Sequence, residues 1–73
     1  MIRDKLIRAL RKKYEADMEA ALATIDIYLA NSIGIGEHPQ HIQEIDKLLS
    51  SYCGAKDKLE SLIRHYDDGE IPF

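Results

Sequence analysis

The sequence has no tryptophan, one phenylalanine, one cysteine and two prolines. Each shortage closes off a class of answer. A lone Cys53 cannot form an internal disulfide and cannot build a multi-cysteine zinc site. Nowhere do about 18 uncharged apolar residues follow one another, so no membrane span is expected, and the first residues lack the apolar run of a secretory leader. The expected setting is therefore a reducing cytoplasm. No Ser-His-Asp set, no HExxH and no Gly-rich phosphate loop is present; Gly34-Ile-Gly36 lacks the preceding strand and the remainder of any such fingerprint. The sequence points away from an enzyme, and no cofactor is implied.

What is abundant is Ala, Leu, Ile and charge of both signs, with few strand-favouring residues, which predicts an all-α protein. With 73 residues the chain is one domain, and one core at this size is marginal without a metal, a disulfide or a second copy. The nine residues 31–39, Asn-Ser-Ile-Gly-Ile-Gly-Glu-His-Pro, divide it into two nearly equal halves. Gly34 and Gly36 can adopt backbone angles that a helix forbids, and Pro39 can open a helix but not occupy its interior. The prediction is a helix over about residues 3–31, a turn over about 32–38, a second helix over about 39–67 and a tail over 68–73.

The first segment has neither Gly nor Pro. Its apolar residues Leu6, Leu10, Tyr14, Met18, Ala21, Leu22, Ile25, Tyr28 and Leu29, widened by Ile7, recur at steps of three and four and so share one side of a helix. Lys5, Arg8, Lys12, Glu15, Glu19 and Asp26 take the other side. In the second segment Ile42, Ile45, Leu49, Tyr52, Lys56, Leu59, Ile63 and Tyr66 step by three and four as a heptad seam with one polar interruption, and Leu48, Ala55 and Leu62 thicken one flank. Gly54 lies inside this helix, where it marks a close approach of a partner backbone, a slight bend or tolerated drift.

Two helices of about 28 residues are each about 42 Å long and match over nearly their full length. Antiparallel pairing of residues whose numbers sum to about 70 sets Ile25 beside Ile45, Met18 beside Tyr52, Leu10 beside Leu59, and Ile7 beside Leu62 or Ile63. It also brings the basic start, with six basic groups and one acid in thirteen residues, toward Asp67, Asp68 and Glu70. The expected contact residues are Leu10, Met18, Ile25, Ile45, Leu49, Tyr52, Leu59 and Ile63. A two-helix seam leaves part of each stripe wet, and Leu6, Leu22, Leu29, Leu48, Ala55 and Leu62 are expected to form an exposed patch. Self-association into a four-helix bundle is the expected remedy, with a helical partner of another sequence as the alternative.

Three constellations have competing readings. Glu37, His38 and His41 sit near the second helix start, but no third or fourth metal ligand is evident and His65 lies at the far end, so capping or solvated side chains are the simpler account. Cys53 has no neighbouring base and reads as a small buried apolar residue near the seam. Arg3, Lys5, Arg8, Arg11, Lys12 and Lys13 could contact phosphates, as in the architecturally similar plasmid RNA-binding Rop proteins. The net charge of −3 and the acidic end beside them favour internal compensation over nucleic acid. A membrane surface is disfavoured further, because acids occupy the rest of the same helix.

The stretch from Tyr28 through Gly34-Ile-Gly-Glu-His38 to Pro39, followed by Ile42, Glu44, Ile45, Asp46, Lys47, Ala55, Lys56, Lys58 and Leu59, resembles small uncharacterised proteins of T4-like marine bacteriophages. The resemblance runs from about Tyr14 to Leu59, and its distinctive motif is the Gly-Ile-Gly-Glu-His turn. It implies a viral origin, a host-cytoplasmic setting and a helical accessory protein, and it carries no catalytic residues. An inhibitor or adaptor that uses the spare apolar stripe on a host or viral protein is a further reading.

If Gly34 and Gly36 supply the turn's backbone angles, Ile33 and Ile35 can plug the bundle end while Glu37 and His38 cap the second helix. Gly34→Val should then lower the melting temperature followed by circular dichroism, because a β-branched residue is strained where φ is positive. Glu37→Ala and His38→Ala should leave helix content nearly intact.

Overall fold

In the computed structural model of the chain, residues 2–31 and 40–66 are described, and they form two helices, α1 (Ile2–Asn31) and α2 (Gln40–Tyr66). The helices pack against each other along their length, and there is no strand among the described residues. The turn residues Gly34, Gly36, Glu37, His38 and Pro39, the proposed helix start at Pro39 and the acidic tail lie outside the described residues.

The register follows from three cross-helix contacts. At the turn end the Tyr28 and His41 rings meet edge to face with centroids 5.6 Å apart. Lower down, Lys58 Nζ lies 5.9 Å from the centre of the Tyr14 ring, within cation–π reach. At the open end the Arg3 guanidinium donates to the Tyr66 carbonyl oxygen at 2.7 Å. Each pair has numbers that sum to about 70, so the antiparallel pairing read from the sequence describes this hairpin. Arg3 also satisfies a carbonyl in the last turn of α2, where Arg64 and His65 complement the helix dipole.

The seam consists of Ile7, Arg11, Tyr14, Met18, Ala21, Ile25 and Tyr28 from α1 and His41, Ile45, Leu48, Tyr52, Ala55, Leu59 and Leu62 from α2, all buried or half-buried. Both lines step by four and three, the spacing that keeps two helices in contact. Ala21, Ile25 and Ala55, at 4–8% exposure, are the only buried ones among the described residues.

This seam differs from the expected one by a strip on each helix. On α2 the line Ile45, Tyr52 and Leu59 is common to both, but its second strip is Leu48, Ala55 and Leu62; the expected strip with Leu49 and Lys56 faces out. On α1, Arg11 enters the contact in place of Leu10, while Ile7 lies in the seam and Leu6 is exposed, as expected. The physical reason is local. Turning α2 toward Leu48 and Ala55 keeps Lys56 exposed at the rim and buries Ala55 in the seam. Arg11 tolerates its place because its stem packs while its head reaches Glu15, 3.6 Å away. Leu10 and Leu49 are therefore outside the contact, and Leu48, Ala55 and Leu62 are outside the exposed patch. Cys53, expected near the seam, is exposed.

The molecule is a rod of 52 × 19 × 15 Å with a radius of gyration of 16.0 Å, against about 11 Å for a compact domain of its length. Its accessible surface is 5782 Å², where a compact monomer of this mass would expose about 4,600 Å². The shortest dimension is that of a single layer of helices. Ala55→Leu should force this contact apart and lower stability by about 1–3 kcal/mol, measured by chemical denaturation at fixed protein concentration.

Candidate interaction surface

Helical geometry gives the hairpin two flanks beside its seam, and the grooves along them are lined by different chemistry. One groove, of about 470 Å³, is lined by Asp17, Ala20, Ala21, Thr24, Leu48, Ser51, Gly54, Ala55 and Lys58. Its side chains are small or polar. The Thr24 hydroxyl donates to the Ala20 carbonyl at 2.8 Å, which satisfies it within its own helix. A Cβ placed on Gly54 would meet nothing within 4 Å, so this glycine serves no close approach between the two helices of one chain.

The other groove, of about 580 Å³, is lined by Lys12, Glu15, Ala16, Met18, Glu19, Leu22, Tyr52 and Leu59. Size does not separate the two flanks, but composition does. Beside the second groove α1 presents Arg8, Glu15, Leu22 and Leu29, seven residues apart, and α2 presents Ile42, Leu49, Lys56 and Ile63 at the same spacing. With the observed register, Leu29 lies level with Ile42 and Leu22 with Leu49. These four side chains are 44–75% exposed. They form one apolar area near the turn end, and charged residues follow it toward the open end. On the opposite side of α1, Ile2, Leu6 and Leu10 form an exposed line at one-turn steps, with Ile27 apart from it, but the facing flank of α2 carries no exposed large apolar residue beside them.

The exposed patch thus contains Leu22 and Leu29, as the sequence predicts, and Ile42 and Leu49, which the heptad pattern places in the seam. Of the remaining residues expected at interfaces, Met18, Ile25, Ile45, Tyr52 and Leu59 lie in the seam, with Ile63 half-buried at its edge. The missed signal was Lys56: an apolar line that carries a lysine at its centre suits a rim better than the tightest part of a two-helix contact.

The basic start is tied into its own helix. Arg11 pairs with Glu15 at 3.6 Å and Lys13 with Asp17 at 3.0 Å, while Arg3 lies 3.8 Å from Asp4 and bonds the end of α2. Such exposed pairs are individually weak, about 0.3–0.5 kcal/mol, but they lower the local positive field. Lys5, Arg8 and Lys12 remain as exposed cations on the flank of the second groove. Among the described residues no group of three or more His, Cys, Asp or Glu side chains could hold a metal ion, and no helix is long and apolar enough to cross a membrane. His41 is half-buried against Tyr28 and at the opposite end of α2 from His65.

Comparisons with protein-family models, with curated proteins and with solved structures found no match. The surface has to be read from its own chemistry. Gly54→Ala separates the two flanks: where the glycine faces open water, the substitution should raise stability by about 0.5–1 kcal/mol, read from the denaturant midpoint. A loss of stability would place a neighbouring backbone on the small-residue groove instead.

Proposed function

We propose that this chain is a non-enzymatic helical interaction module that works by self-association, two hairpins packing into a four-helix bundle. The observation that carries this reading is the apolar area of Leu22, Leu29, Ile42 and Leu49, with exposed charges around it. A monomer seldom keeps such an area without a partner. The bacteriophage resemblance fits an accessory role of this kind in a host cytoplasm. Internal pairing of Arg3, Arg11 and Lys13 favours this reading over a Rop-like RNA-binding one.

Sedimentation equilibrium from low to high micromolar concentration should show a dimer that dissociates on dilution, with helix content falling as it does. Leu49→Glu should shift the protein to monomer, while Gln43→Glu on the outer face of α2 should not. A wild-type monomer throughout, with helix content independent of concentration, would overturn the proposal. RNA binding that weakens steeply with salt would favour the nucleic-acid reading instead.

A further inference from the structure

Resting on that reading, the geometry points to a specific arrangement. We infer that a second copy of this chain seats on the Leu22–Leu49 flank with its turn at the same end, about a two-fold axis parallel to the rod. Hairpins stacked face to face have their two-fold axis in the contact plane, either along the rod or across it. The distribution of residues on this flank distinguishes the two.

With the axis along the rod, each level of one copy meets the same level of the other, and α1 lies against the partner's α2. Leu29 then meets Ile42 and Leu22 meets Leu49 across the interface, so the whole apolar area is covered by its own image. The levels below carry opposite charges: Glu15 faces Lys56, and on the outer edge Lys12 faces Glu60. Asp26 and Asp46 form one like-charged level, at the rim where water screens them. With the axis across the rod and full overlap, α1 lies on α1 and Leu22 and Leu29 meet the basic residues Arg8 and Lys5, while Leu49 meets Lys56. Sliding the copies until the apolar areas coincide leaves the open half of each rod unpaired. The first arrangement alone covers the whole apolar area with its own image and sets Glu15 against Lys56; its mixed levels are Asp26 with Asp46 at the rim and Arg8 with Ile63 at the open end.

The exposed Cys53 supplies a direct test. In the inferred bundle it faces Glu19 of the other copy on the outer edge and lies far from the second Cys53. With the axis across the middle of the rod, the two Cys53 residues, each at the midpoint of α2 (Gln40–Tyr66), face each other. Within one chain, positions 19 and 53 point away from each other across the seam, with Cα atoms about 12 Å apart for helix axes 8–10 Å apart. That is beyond the reach of a disulfide.

Glu19→Cys and wild-type protein would be oxidised under copper–phenanthroline and air at a concentration where sedimentation shows the oligomer. The products would be mapped by non-reducing electrophoresis and peptide mass. The expected result is a 19-to-53 disulfide between copies in Glu19→Cys, with at least tenfold less linked dimer in wild type. Efficient Cys53-to-Cys53 linkage in wild type, or a sedimenting dimer of Glu19→Cys without the 19-to-53 bond, would overturn the orientation while leaving self-association in place. A protein that sediments as monomer would remove both.

Discussion

Two helices touch along a line, and that limit governs everything else in this molecule. A helix with side chains is about 10–12 Å across, so a pair lying side by side cannot surround any residue. The 15 Å thickness of the rod leaves most seam positions partly open to water. Burial is accordingly confined to Ala21, Ile25 and Ala55, and no described side chain is fully enclosed. A larger core cannot be made by better packing of the same two elements. It requires another layer.

Within that limit the chain fixes its register by different means along the rod. The middle relies on the buried Ala21, Ile25 and Ala55, with half-buried Met18, Tyr52 and Leu59 closing one side. The ends rely on polar and aromatic contacts, Tyr28 with His41 at the turn and Arg3 with the last carbonyl of α2 at the open end. A slip by one helical turn would break both end contacts. Antiparallel pairing is thus specified at several independent points, although each contributes little alone.

The hairpin could be read from the sequence because its evidence is local: a first segment free of Gly and Pro, breakers at 31–39, and apolar steps of three and four in both halves. The central line of α2, Ile45, Tyr52 and Leu59, was equally plain. The choice of its neighbouring strip was not. Periodicity shows that Leu48, Ala55 and Leu62 on one side and Ile42, Leu49 and Ile63 on the other both adjoin that line, and a hairpin can use only one of them in its seam. Side-chain volume and the position of Lys56 decided the matter, and these enter only when two helices are brought together. Cys53 was placed wrongly for the same reason: its exposure depends on which way α2 is turned.

That turning has an energetic consequence for the proposed assembly. The apolar arc of α2 is wider than a two-helix contact can cover, as in helices that face two neighbours in a bundle. Its central line belongs to the fold, while the strip carrying Ile42 and Leu49 is left beside it, close enough that Tyr52 and Leu59 line the same groove as Leu22. A partner seated on that groove would remove water from the open side of seam residues as well as from the exposed leucines. Association and folding would then draw on the same side chains, so the free energy of one adds to the other by linkage, and the hairpin's apparent stability becomes a function of its concentration. For a rod one layer thick, the proposed assembly would be the direct route by which its half-buried seam becomes a core.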